Sequence, residues 1–103
     1  MSRIEKIKEM LNTNGHDSFL LHALALELIK LGNDEDARQC FVDLLANEPG
    51  YVGSYYHLAK LYERTGQIDK AMATYEAGMH QAKAAGDQHS MNELRGALDE
   101  LAD

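Results

Sequence analysis

Apolar positions along this chain fall in helical stripes, and the stripes repeat. Leu21, Leu24 and Leu28 share one face of a helix, and Tyr55, Leu58 and Tyr62 share one face of another. The two stripes belong to a longer correspondence. Leu21, Leu24, Ala25, Leu28, Gly32, Ala37 and Phe41 are matched 34 positions later by Tyr55, Leu58, Ala59, Tyr62, Gly66, Ala71 and Tyr75. A fixed period of this length, with large and small residues at the same offsets, marks a stacked repeat.

Each offset has a physical reason. Ala25 and Ala59 are small enough to let a neighbouring helix approach closely, and Ala37 and Ala71 do the same on the next helix. Phe41 and Tyr75 are placed to fill the space between the paired helices. Gly32 and Gly66 follow the stripes, where a left-handed residue ends a helix without a Cβ clash. Asn33-Asp34-Glu35-Asp36 then offers N-cap side chains and acidic groups to the positive end of a second helix. Pro49-Gly50 stops that helix. The repeating unit is two antiparallel helices joined by a short turn.

The spacing resembles that of the tetratricopeptide repeat family, whose signature is Trp-x2-Leu-Gly-x2-Tyr, then Ala-x3-Phe, then Pro. Residues 52–85 give Tyr55-x2-Leu58-Ala59-x2-Tyr62 and Ala71-x3-Tyr75, with Lys83 at the proline position. Residues 18–51 give Leu21-x2-Leu24-Ala25-x2-Leu28 and Ala37-x3-Phe41, with Pro49 in place. Ala replaces Gly in both copies and no Trp is present, so the motif is in its degenerate form. The resemblance implies an all-α fold, a right-handed α-solenoid of antiparallel helix pairs.

The ends extend the pattern. One period before Phe41, Leu44, Leu45 and Pro49 stand Ile7, Met10, Leu11 and Gly15, so residues 2–17 read as a half-repeat that caps the array. Ser2-Arg3-Ile4-Glu5 has the capping-box spacing that starts its helix. Ala84-Ala85-Gly86-Asp87 marks a stop and an N-cap, and Met91, Leu94, Leu98 and Leu101 then give residues 86–103 the stripe of a closing helix. Six helices are predicted, at about 3–13, 17–31, 34–47, 52–65, 68–85 and 88–101, in a single domain. Inward packing of Ile4, Ile7, Leu11, Leu94, Leu98 and Leu101 would make the protein a monomer; a homodimer through the terminal helices is the alternative, since a short array leaves apolar surface at its ends.

Composition narrows the function classes. Ten basic against seventeen acidic residues give a formal net charge of −7, which disfavours nucleic-acid binding. No apolar run is long enough to span a membrane, and the N-terminal residues lead into a charged amphipathic helix rather than an apolar leader. A single cysteine, Cys40, beside the packing position Phe41, reads as a structural thiol and suits a reducing, cytoplasmic setting. No two of His16, His22, His57, His80 and His89 have the spacing of a metal-binding pair on one helix. No phosphate-binding glycine loop is present either. The expectation is a protein without cofactor, metal or catalytic site.

In the tetratricopeptide family the first helices of the repeats line a concave groove that takes a peptide or a partner helix. The resemblance carries that role to Phe19, His22, Leu26, Ile29 and Lys30 in the first copy, and to Gly53, Tyr56, Lys60, Glu63 and Arg64 in the second. Lys30, Lys60 and Arg64 outnumber Glu63, which suggests an acidic, extended segment with an apolar anchor as partner. Members that grip the acidic tails of heat-shock chaperones need Lys and Asn at positions held here by His22, Leu26 and His57, so that clamp is missing. Asp34, Glu35, Asp36, Asp43 and Glu48 gather on the second helix of the first repeat and read as a solvated outer face. The reading is a cytoplasmic protein-interaction module of the adaptor type.

Overall fold

The structure, a computed structural model, describes residues 1–102 and is built of helices alone over those residues. In chain order they are α1 (Arg3–Thr13), α2 (Ser18–Lys30), α3 (Asp34–Asn47), α4 (Gly53–Arg64), α5 (Ile68–Ala84) and α6 (Gln88–Ala102). The predicted six helices are all present. The chain divides at Pro49 into two compact units, the first holding α1 to α3 and the second α4 to α6.

The helix ends follow from a few residues. Gly32, Gly66 and Gly86 have φ of 77°, 77° and 71°, in the left-handed region that only glycine enters cheaply. Each sits in the same hydrogen-bonded cap. Asn33 N–H donates to Leu28 C=O at 2.9 Å, Gln67 N–H to Tyr62 C=O at 2.8 Å and Asp87 N–H to Ala82 C=O at 2.8 Å, while the glycine N–H reaches back to Ile29, Glu63 or Lys83. These are Schellman caps, and they reverse the chain within a few residues. Pro49 explains a difference between the copies. It lacks an N–H and α3 ends after 14 residues, whereas Lys83 at the matching offset lets α5 run for 17.

The N-termini are capped less uniformly than expected. Ser2 accepts from Glu5 N–H at 3.1 Å, Asp17 from Leu20 N–H at 2.9 Å and Asp87 from Ser90 N–H at 3.1 Å. Asn33 makes no side-chain cap to α3; its amide instead donates to the Asp36 carboxylate at 2.8 Å. Asp34, Glu35 and Asp36 still occupy the first turn of α3, where they complement the helix dipole.

In the first unit α1 packs on α2 and α2 on α3. Its core is Ile7, Leu24, Ala25, Leu28, Ala37, Phe41 and Leu44, and Ala25, Ala37 and Phe41 are fully enclosed. Arg3 of α1 reaches Glu27 of α2 with Nε at 2.7 Å. In the second unit α4 packs on α5 and α5 on α6. Tyr55, Leu58, Ala59, Leu61, Ala71, Tyr75, Ala82 and Leu94 form its core, with Ala59, Ala71 and Tyr75 fully enclosed. The small and large residues singled out by the repeat therefore do what their sizes suggested. Of the terminal residues expected inside, Ile7 and Leu94 are buried, while Ile4, Leu11, Leu98 and Leu101 are half-buried.

Gly78 was not among the residues the pattern picked out. It lies in the middle of α5, and a Cβ placed there would stand 2.7 Å from Tyr55 Cβ, 2.9 Å from Tyr55 Cγ and 3.0 Å from Leu94 Cδ1. Both neighbouring helices thus close onto its bare backbone. Tyr55 adds an anchor, since its hydroxyl donates to Pro49 C=O at 2.5 Å.

Candidate functional site

The groove positions expected from the repeat can be located helix by helix. On α2 of the first unit, Phe19 is 69% exposed, a large apolar ring left in solvent. His22 is half-buried and meets Phe41 edge-on, with ring centroids 5.6 Å apart, so its imidazole is part of the packing between α2 and α3. Leu26 and Ile29 are half-buried. Lys30 is exposed, and its ammonium lies 3.4 Å from Glu27, the same carboxylate that Arg3 engages.

On α4 of the second unit the positions are brought together more tightly. Tyr56 is half-buried and meets Tyr75 at 6.2 Å and His57 at 5.9 Å, both edge-on. Lys60 extends over these rings, with Nζ 5.5 Å from the Tyr56 centroid and 6.0 Å from that of Tyr75. The same ammonium lies 3.4 Å from Glu63, whose carboxylate also accepts a hydrogen bond from the Tyr75 hydroxyl. Burial first, and then this carboxylate, hold the Tyr75 phenol far above the ordinary tyrosine value. Lys60 and Glu63 were expected to face a partner. Both are instead tied into the α4–α5 contact, although about a third of Lys60 remains accessible. Arg64 stands exposed at the end of α4.

A cleft opens beside this cluster. Its volume is about 270 Å³, and Val52, Gly53, Tyr56 and His57 from α4 and the residue before it face Ser90, Glu93 and Leu94 from α6. Gly53 and Tyr56 are two of the residues the repeat placed in the groove. His57 is a wall of the cleft, with its pKa lowered by burial against the opposing pull of Glu93. Glu93 is half exposed, and its ion-pair partner among the described residues is His89 at 3.9 Å, a contact that is ionic only when the imidazole is protonated. Gly53 leaves the cleft open: nothing lies within 4 Å of where its Cβ would be.

Ser90, Glu93 and Leu94 were missed because α6 reads in sequence as a closing helix with one packing stripe. The available signal was the spacing of three and four residues from Ser90 to Glu93 and Leu94, which puts Ser90 and Glu93 on the face of α6 beside Leu94 of that stripe. The cleft offers shape, one wall bearing a phenol and an imidazole ring, and one carboxylate on the wall opposite. That set suits recognition.

Cys40 is half-buried; burial raises its thiol pKa, Asp43 and Asp36 add to the effect and Lys8 opposes it, so the reactive thiolate is disfavoured. Among the described residues no group of three or more His, Cys, Asp or Glu side chains could hold a metal ion. No described helix is long and apolar enough to cross a membrane.

The sequence profile of the tetratricopeptide repeat matches residues 28–98, most of the chain. This protein belongs to the tetratricopeptide repeat family. A tetratricopeptide repeat domain protein from Salinibacter ruber, solved by crystallography, is 41% identical over 84% of this chain and 96% of its own, with a TM-score of 0.80. A solution structure from Bordetella parapertussis is 24% identical, covers 99% of this chain and 89% of its own, and superposes with a TM-score of 0.84. PcrH, solved in complex with the chaperone binding region of PopD, is 15% identical over 96% of this chain and 75% of its own, with a TM-score of 0.88. The last two show the fold alone, the helical solenoid class of antiparallel pairs. No curated protein matches the sequence. Tetratricopeptide repeat domains are protein-interaction modules.

Proposed function

We propose that this tetratricopeptide repeat protein is a non-catalytic adaptor that binds a peptide or a partner helix through the first helices of its repeats, residues 18–51 and 52–85. The observation that carries the reading is the cleft at Gly53, Tyr56 and His57, which has room for one partner side chain between the rings of α4 and Leu94 of α6. Within the first unit, Phe19, Leu26, Ile29 and Lys30 on α2 are the corresponding positions, and the exposed Phe19 ring is an apolar anchor of its own. The fold shared with PcrH, whose complex holds the chaperone binding region of PopD, supports a peptide-sized partner. A reducing cytoplasm is the setting that Cys40 suits.

Filling the cleft tests the proposal. Gly53→Leu adds a side chain where nothing lies within 4 Å, at a position without positive φ, so it blocks the site while favouring the helix. In affinity capture from a native cell extract, Gly53→Leu and Tyr56→Ala baits should each lose the partner that the parent protein retains, with helicity unchanged. Lys60→Glu is a less selective probe, because it would set a second carboxylate beside Glu63 and the enclosed Tyr75. Retention of the partner by Gly53→Leu would exclude the cleft as the binding site.

A further inference from the structure

We infer that the cleft between α4 and α6 selects a segment carrying an apolar side chain next to a lysine or arginine, a partner of the opposite sign to that suggested by counting Lys30, Lys60 and Arg64. The inference rests on the proposed peptide-binding role and adds the chemistry of the partner. Lys30 and Lys60 are offset within their own helices: Lys30 lies 3.4 Å from Glu27, and Lys60 lies 3.4 Å from Glu63. Lys60 also spends its charge on the faces of Tyr56 and Tyr75.

The lining of the cleft has a different balance. Val52, Leu94, Tyr56 and the ring of His57 offer apolar surface, and Gly53 leaves the entrance unobstructed. Glu93 is the carboxylate in that lining. Its field reaches the cleft, since it pulls the His57 pKa up against the downward effect of burial. His89 is the residue placed to neutralise Glu93, at 3.9 Å and 90% exposed, and a neutral imidazole leaves that carboxylate its charge. An apolar side chain entering between Tyr56 and Leu94 would carry its neighbour past Glu93, where a cation gains a charge-assisted contact and an anion is repelled.

The test is selection from a random twelve-residue peptide library displayed on phage, panned on the full chain and on its Gly53→Leu and Glu93→Lys variants. Glu93 is exposed on α6, so its substitution leaves the fold intact. Peptides recovered by the parent should pair an apolar residue with Lys or Arg within two positions, and Gly53→Leu should lose them. Glu93→Lys should recover peptides with Asp or Glu in that place. Fluorescence polarisation of one selected peptide should show about 5-fold weaker binding to Glu93→Gln, a difference that shrinks with added salt. Peptides lost on Gly53→Leu but indifferent to charge at residue 93 would overturn the inference and leave the binding site standing. Recovery of acidic peptides by the parent would overturn it as well. Failure to enrich any peptide over the Gly53→Leu control would overturn both the inference and the cleft as a binding site.

Discussion

Gly78→Ala should destabilise the protein although alanine is the better helix former. In isolation the exchange would favour α5 by about 1 kcal/mol. The new Cβ, however, would lie 2.7 Å and 2.9 Å from Tyr55 Cβ and Cγ and 3.0 Å from Leu94 Cδ1. Carbon atoms in good contact sit about 3.5–4.0 Å apart, so several tenths of an ångström must be found on two sides at once. Tyr55 Cβ is fixed to its backbone and cannot rotate clear. Its ring is held by the bond to Pro49 C=O at 2.5 Å, so α4 itself has to retreat from α5. Overpacking of this kind costs about 1–3 kcal/mol. The net expectation is a loss of up to about 2 kcal/mol, and each kcal/mol lowers the melting temperature of a domain this size by about 4–8 °C. Gly96→Ala is the matched control. It lies on the exposed side of α6 with nothing within 4 Å of its Cβ, so it should raise stability by about 0.5–1 kcal/mol. Thermal and urea melts followed by circular dichroism would compare the two. If Gly78→Ala melts at or above the parent protein, the close approach of α4 and α6 to α5 is not a constraint and the argument fails.

Further outcomes follow from the same contacts. Gly66→Ala forces a Cβ into a backbone with φ of 77° and should cost about 1 kcal/mol in urea melts, although open space surrounds it; no loss would mean the cap relaxes freely. Tyr75→Phe removes the donor to Glu63 and should cost about 1 kcal/mol, with the fluorescence of the remaining tyrosines and the melt as readouts. Stability should fall as pH drops below 6.5, because the unfolded His57 imidazole takes up its proton before the folded one, whose pKa is lowered; His57→Gln should flatten that part of the profile, and an unchanged slope would contradict it. On the alkaline side the order is reversed: Tyr75 and Tyr55 have raised pKa values, so the unfolded phenols ionise first and stability should be lost as pH rises past 10, less steeply in Tyr75→Phe.

What the sequence determined by itself is what depends on backbone geometry and residue size at fixed offsets. Gly32 and Gly66 end helices because only glycine enters the left-handed region without strain, and both do so with the same φ. Ala25, Ala37, Ala59 and Ala71 are fully enclosed because only a small residue lets two helix axes come close. Pro49 and Lys83 set different lengths for α3 and α5 through the presence or absence of one N–H. Such effects act over a turn or two, so a period of 34 residues displays them twice.

The tertiary structure decided what those charges and small residues meet. Lys60 and Glu63 were expected in the groove from the repeat, yet Tyr75 from α5 draws Glu63 into a hydrogen bond and its ring joins Tyr56 beneath the ammonium. Gly78 occurs where the first copy has Leu44, and only the closeness of Tyr55 and Leu94 shows why a side chain was given up there. Glu93 became part of the candidate site because α6 folds back beside α4, an arrangement that depends on how far α5 runs and how Gly86 turns the chain. Periodicity reports which face of a helix is apolar; which side chains meet across a gap of a few ångströms depends on the packing of the helices against one another.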